Sequence, residues 1–275
     1  MEFLQPPGWR EALDVRAAHP DALPIWGGTD VMVELNFARR RPAALLDLTR
    51  VPELTHWEAE DGGIRIGAGV SYTRLIRELG DRLPGLAMAA RTVGSPQIRN
   101  RGTIGGNLGS SSPAGDALPP LYAAGASVLL ASARGERRVR IEDFVLGPKR
   151  NALAGDELIA GVWVPVRADA AQQFAKVGTR NAMVIAVCSF ALDVSDGRVG
   201  TCIGSAGPTP IRARDAEAFA VDATPGEQAA REFGERVAAA ASPIDDVRGT
   251  AAYRRHALSV LARRTITWAW EARCG

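Results

Sequence analysis

Apolar residues along the 275-residue chain fall into short runs whose spacing changes from one stretch to the next. Trp9-Arg-Glu-Ala-Leu-Asp-Val-Arg-Ala-Ala18 follows a helical period and ends at a turn, His19-Pro20. Val31 to Leu35 reads as either helix or strand, and Ala43 to Leu48 as a buried strand, so that a small α/β unit is complete by about Val51. Ile64-Arg-Ile-Gly-Ala-Gly-Val-Ser-Tyr72 reads as strand then turn. Its Gly-x-Gly is not a dinucleotide fingerprint, because Tyr72 stands where the third glycine must let a helix pack on a sheet. Ser71 is the expected N-cap of a helix from Tyr72 to Leu79, and a further helix is expected from Leu86 to Thr92.

Beyond residue 116, Ala117 to Ala124 reads as a helix that tolerates Pro119 and Pro120 in its first turn. Ala126 to Leu130, Val139 to Ile141 and Glu157 to Pro165 read as strands. Around Arg167 to Gln173 the chain turns polar and alanine-rich, which marks a domain boundary. The remainder opens with extended runs at Phe174 to Val177, Val184 to Val194 and Val199 to Ile203, the last two joined by a hairpin at Asp196-Gly197. Two helices close the chain, Pro225 to Ala241 and Thr250 to about Ala272, with Leu258, Leu261 and Trp268 expected to face a core. The predicted class is α+β.

The interruption between these elements is longest from Gly94 to Asp116, a Gly/Ser/Asn segment with little side-chain bulk. Gly102, Gly105, Gly106 and Gly109 free its backbone for close approach to a ligand, while Thr103, Asn107, Ser110, Ser111 and Ser112 add hydroxyl and amide groups. Such a segment suits an anion held by N–H groups, with the helix from Ala117 behind it; a mobile surface loop is the plain alternative. A second segment, Ile25-Trp-Gly-Gly-Thr-Asp-Val31, repeats the pattern of paired glycines and a hydroxyl, which favours two loops around one ligand.

Composition narrows the function classes. A net charge of +2 argues against a nucleic-acid partner, and Arg137-Arg-Val-Arg140 reads as one solvated strand face. Cys188, Cys202 and Cys274 lie far apart, suit a reducing cytoplasm, and lack any usual iron-sulfur spacing. The scattered His19, His56 and His256 predict no metal site. Neither a signal peptide nor a membrane-spanning run is expected. No nucleophile elbow, Walker motif or His/Glu metal signature is present, and Ile203-Gly-Ser-Ala-Gly207 misses the elbow at its first residue. No catalytic side chain is therefore assigned, and a bound cofactor is left to do the chemistry.

Gly27-Gly-Thr-Asp30, Thr103-Ile-Gly-Gly-Asn107 and Ser112-Pro-Ala-Gly-Asp116 resemble the FAD loops of the flavoprotein subunit of the molybdenum hydroxylases, relatives of xanthine dehydrogenase and carbon monoxide dehydrogenase. Phe174-Ala-Lys-Val-Gly-Thr-Arg180 and Asp245-Asp-Val-Arg-Gly-Thr-Ala-Ala-Tyr-Arg-Arg255 are similar to that family's C-terminal signatures, so the resemblance spans nearly the whole chain. It implies a PCMH-type FAD-binding domain over 1–168, with subdomains of about 1–54 and 55–168 and FAD between them. A C-terminal domain of antiparallel strands and helices would follow over 169–275. It also implies FAD contacts at Ile25, Trp26, Gly27, Gly28, Thr29, Asp30 and Val31, and at Thr103, Ile104, Gly105, Gly106 and Asn107, where the backbone would face the pyrophosphate. Asp116 would accept hydrogen bonds from sugar or ribityl hydroxyls or cap the helix that follows, and Ile159 and Lys176 would lie near the flavin, Lys176 as a positive charge. Trp26 is bulkier than the residue usual there, and Val93 stands where some relatives place an aromatic. Arg180 and Arg248 read as structural or subunit-contact residues.

The function implied is electron transfer. A small iron-sulfur subunit and a large molybdenum-cofactor subunit would be the partners, in a dimer of heterotrimers, with electrons passing through FAD to NAD, oxygen or a quinone-linked acceptor. A self-contained flavin oxidase and a scaffold that has lost FAD are the alternatives. The first should bring its own base or a residue for covalent flavin attachment.

Overall fold

The structure is a computed structural model describing residues 1–274. Gly275, the end of the expected C-terminal domain, and the side chain of Cys274 lie outside the described residues. The chain opens with β1 (Glu2–Leu4), α1 (Trp9–Ala18), β2 (Leu23–Ile25), α2 (Val31–Asn36) and β3 (Ala44–Asp47). β3 lies between β1 and β2 and runs parallel to both. Parallel pairing requires long crossovers, which α1 and α2 supply. The open choice at Val31 to Leu35 resolves as helix.

The next stretch contains β4 (Trp57–Glu60), β5 (Gly63–Gly67), α3 (Tyr72–Leu79), α4 (Pro84–Arg91), α5 (Pro96–Arg101), α6 (Ile104–Ser110) and α7 (Leu118–Ala124). After these come β6 (Ser127–Ser132), β7 (Gly135–Arg140), α8 (Ile141–Phe144), β8 (Val145–Gly147), β9 (Arg150–Asn151) and β10 (Leu158–Pro165). An antiparallel sheet in the order β4-β5-β10-β6-β7 forms its centre. The sheet is covered on both faces, and β6 shows why its sequence is a continuous apolar run. Val128 and Leu130 pack with Leu75, Ile104 and Leu121 of the helices, while Leu129 and Ala131 pack with Leu13 and Leu46 of the first unit. Ile141 was expected to end a strand but begins α8, since β7 stops at Arg140. Ser71 caps α3 by accepting from the Arg74 N–H at 3.3 Å. Ser71→Ala should cost about 1 kcal/mol in urea unfolding with an unchanged slope.

The last third holds β11 (Ala171–Val177), β12 (Cys188–Ser195), β13 (Arg198–Gly204), α9 (Arg214–Asp222), α10 (Glu227–Ala240) and α11 (Ala251–Cys274). Its antiparallel sheet packs one face on α10 and α11 through Phe190, Phe233, Leu258 and Ile266. The opposite face meets α4 and α7 through Ala89, Ala123, Phe174 and Ala191. β12 begins at Cys188, four residues later than expected, while the Asp196-Gly197 hairpin forms with Gly197 at φ +64°. Leu258 is buried and Leu261 packs at the core edge, but Trp268 is half exposed and Trp270 takes its place. At about 100° per residue, the buried Ala262, Ile266, Ala269 and Trp270 all lie to one side of Leu258 around the helix, and Trp268 lies to the other.

A polar clasp holds the two halves together. Gln172 accepts from the Gly85 N–H at 3.2 Å and donates to Asp193 at 2.8 Å. Arg198 donates to Asp193 at 2.8 Å and to the Ala123 carbonyl at 2.5 Å, which anchors the C-terminal end of α7.

Candidate functional site

The expected long loop from Gly94 to Asp116 is in fact mostly two short helices. Ser95 and Thr103 accept from the N–H groups of Ile98 and Gly106, at 3.4 and 3.0 Å, and so nucleate α5 and α6 where the glycines alone would not. The helix N-terminus nearest the glycines is therefore that of α6, not the one after Ala117.

The amides at that end are already used. Ile104 N–H donates to Val70 O at 3.2 Å, Gly105 N–H to Ala68 O at 2.9 Å, and Asn107 N–H to Thr103 O at 3.1 Å. The turn after β5 thus pins α6, and Ile104 and Gly105 are buried by it. What α6 offers a ligand is its opposite side, where Gly106 and Gly109 are exposed. A side chain at Gly109 would point toward Ile159, whose Cδ1 lies 3.7 Å from its Cβ position. Ile159 sits where the β10–β6 register shifts, half-buried between two core clusters.

The free amides are in the other segment. None of the five successive backbone N–H groups from Gly27 to Val31 meets an acceptor among the described residues. Gly28 adopts φ +71°, which folds these N–H groups into the concave arrangement that binds anions. The two segments touch: a Cβ on Gly27 would lie 2.6 Å from the carbonyl carbon of Arg101, and Ser110 donates to Asp30 Oδ2 at 2.8 Å. Trp26 turns away from this contact, its ring lying over Gly69 in the hydrophobic cluster beneath the first unit. Thr29 is half-buried, Asp30 exposed, and Val31 begins α2.

Asp116 does not cap α7, whose N-cap is Ala117. It pairs instead with Lys176 of β11 at 2.6 Å, and Lys176 donates a second bond to the Thr92 carbonyl at 3.1 Å. The Lys176 side chain is 6% exposed, so its charge is compensated within the chain. Burial pushes Asp116 above the usual carboxylate range, against the downward pull of Lys176. Three buried polar atoms near these segments lack a partner among the described residues: Asn107 Oδ1, Asp116 Oδ1 and Tyr72 Oη. Tyr72 packs its ring on Gly102, and burial raises its phenol strongly, with the Asp116 charge adding to the effect. Its sequence signal, a tyrosine in place of a third glycine, excluded a motif without indicating a role. Val93 packs at the edge of the main core, and Arg180 donates to the Met183 carbonyl. Arg248 pairs with Asp246 at 3.5 Å.

No group of three metal-ligating side chains occurs among the described residues, and none of their helices is long and apolar enough to cross a membrane. Cys188 and Cys202 are free and buried, and burial pushes the Cys188 thiol up to about 11.

Two family models match the chain. The FAD binding domain in molybdopterin dehydrogenase covers residues 1–167, and the CO dehydrogenase flavoprotein C-terminal domain covers 170–269. The nicotinate dehydrogenase FAD-subunit of Eubacterium barkeri is 35% identical over 237 residues, 81% of this chain and 80% of that one. The nicotine 6-hydroxylase medium subunit of Paenarthrobacter nicotinovorans is 30% identical over 277 residues, 97% and 96% of the two chains. Among solved structures, carbon monoxide dehydrogenase from Hydrogenophaga pseudoflava, in a form lacking the Mo-pyranopterin moiety, superposes with TM-score 0.93 at 29% identity. That match covers 100% of this chain and 98% of the other. The residues here fit FAD: free amides and a left-handed glycine suit a diphosphate, and unpartnered carboxamide and carboxylate oxygens suit sugar and ribityl hydroxyls. The chain belongs to the FAD-binding flavoprotein subunits of the molybdopterin dehydrogenases.

Proposed function

We propose that this chain relays electrons within a molybdenum hydroxylase, from the iron-sulfur clusters of a small partner subunit to FAD and on to NAD, oxygen or a quinone-linked acceptor. A large molybdenum-cofactor subunit completes the complex, as a dimer of heterotrimers in the cytoplasm. Residues 1–168 form the FAD-binding domain and 169–275 the second domain. The observation that carries the reading is the run of five unaccepted N–H groups from Gly27 to Val31, held against α5 and α6 by contacts too close for any other residue at position 27. The names of the relatives support the assembly: one is a medium subunit and another an FAD-subunit, both of substrate-oxidising enzymes.

FAD supplies hydride and single-electron exchange when bound. The amides of Gly27, Gly28, Thr29, Asp30 and Val31 hold the diphosphate, while Ile25 and Trp26 anchor that loop to the first sheet and to Gly69. Thr103, Ile104 and Gly105 fix α6 on the turn after β5, so that the bare surface at Gly106 faces the ligand without moving. Asn107 and Asp116 accept hydroxyl hydrogen bonds, Ile159 supplies an apolar wall, and Lys176 holds the Asp116 carboxyl in place through their direct contact.

The visible spectrum of the purified chain, taken before and after adding FAD and desalting, tests this. Bound FAD should also raise stability by about 2.7 kcal/mol at a hundredfold excess over Kd. Absence of flavin from both the chain and the co-expressed complex would overturn the reading.

A further inference from the structure

Of the three unpartnered buried atoms near the cofactor segments, one carries a hydrogen to donate. Asn107 Oδ1 and Asp116 Oδ1 are acceptors, whereas Tyr72 Oη is a phenol. The Asn107 carboxamide lies against Gly115, with Oδ1 3.1 Å from the Cβ position there, so one acceptor packs beside the residue that precedes the other. Asp116 Oδ2 is taken by Lys176 at 2.6 Å, which leaves Oδ1 as the open acceptor of that carboxylate.

Tyr72 belongs to neither cofactor segment, yet the second one holds it. It opens α3 and is 3% exposed. Its N–H donates to Gly102 O at 3.1 Å, the preceding Ser71 forms a bridge with Thr103, and a Cβ on Gly102 would lie 3.3 Å from Tyr72 Cδ2. The phenol is thus fixed by the residues that lead into α6, within range of the Asp116 charge. Burying a hydroxyl without a partner is costly, and phenylalanine would fill the same space without that cost. One kind of group satisfies both open atoms: an aliphatic hydroxyl or a water, which accepts from the phenol and donates its own hydrogen to the carboxylate.

We propose that Tyr72 is a positioning residue of the cofactor site, its Oη donating to an O–H group that in turn donates to Asp116 Oδ1. That group is a ribityl hydroxyl of FAD or a water trapped beneath it. Only the first case rests on the FAD reading above. The titratable groups facing Asp116 are Lys176 from β11 and Tyr72 from α3, and the Thr92 side chain at the end of α4 adds a hydrogen bond. Removing the phenol removes a dipole whose positive end favours the ionised carboxylate, so Asp116 should take up its proton at higher pH.

The test is Tyr72→Phe in the full chain, which keeps the ring and removes one oxygen. With a ribityl hydroxyl as the bridge, the Kd for FAD should rise about fivefold to tenfold, while the FAD-free chain unfolds in urea where the wild type does or later. With a trapped water, the urea midpoint should already fall without FAD. In both cases the loss of FAD affinity on acidification, followed between about pH 5 and 8, should move to higher pH in the variant. Weakening by the same factor at every pH would reduce Tyr72 to packing and overturn the proposal. So would an unchanged Kd with an unchanged or higher urea midpoint. A wild-type chain that takes up no FAD sinks the cofactor reading alone; the bridge then stands if the urea midpoint of Tyr72→Phe is lower and falls if it is not.

Discussion

Gly106→Val should abolish FAD binding and leave the fold intact. The position is exposed on α6, and the atom nearest a new Cβ is Thr103 Oγ1 at 3.2 Å, a side chain that can yield by a few tenths of an ångström. Valine also has better helix propensity than glycine, so the expected change in stability is within about 0.5 kcal/mol. The branched side chain would instead occupy the bare surface that the cofactor approaches, and a fall in affinity of about a hundredfold or more is expected from such an overlap. Gly27→Ala is the contrasting case. Its Cβ would overlap the Arg101 carbonyl and part the two segments, so both the fold and flavin content should suffer. Flavin absorbance per chain and urea unfolding separate the two outcomes. Wild-type flavin content in Gly106→Val would withdraw the α6 surface from the site.

Lys176→Met should destabilise the chain by about 3–5 kcal/mol at neutral pH, the usual result of leaving one partner of a buried ion pair behind. Asp116 is then a buried carboxyl without its cation. Burial already pushes it up, and losing Lys176 removes the downward influence. A carboxyl with a raised folded pKa contributes its stability below the unfolded value of about 4 and loses it as pH rises through the folded value. The deficit of Lys176→Met against the wild type should therefore be smallest in acid and grow toward neutral pH. Adding Asp116→Asn should recover much of the loss, because the uncompensated charge is gone. Denaturant unfolding of the three proteins between about pH 5 and 8 measures this, and a deficit independent of pH would mean that Asp116 carries the same charge in both folded proteins and that losing Lys176 does not change its titration.

Much of the local structure was legible in the order of residues. The Ser71 cap, the Asp196-Gly197 hairpin and the two terminal helices depend on groups within a few positions of one another, and all of them form. Illegible were elements whose stability comes from distant partners. α6 carries three glycines and survives because Ala68 and Val70 accept its first amides and its Gly105 lies against Ala68. β1 and β2 are three residues long and exist as strands because β3 lies between them. Trp268 is the converse case: helical spacing alone predicts it buried, and the fold leaves it half exposed beside the face that Leu258 and Ile266 bury.

The candidate site divides along the same line. Paired glycines, small hydroxyl residues and their order along the chain were sufficient to single out both segments and to identify the family, since backbone access to a ligand is a property of residue type. Which of the two supplies free N–H groups was decided only in three dimensions, because an amide is free or used according to what lies opposite it. At Ile104 and Gly105 that is the turn at residues 68–70, more than thirty positions away, and at Gly27 to Val31 it is no acceptor among the described residues. Lys176 is the sharper instance. As a residue type it promises a positive charge, but the fold brings Asp116 against it from sixty positions away, and the site receives a neutralised pair with one carboxylate oxygen still unpartnered.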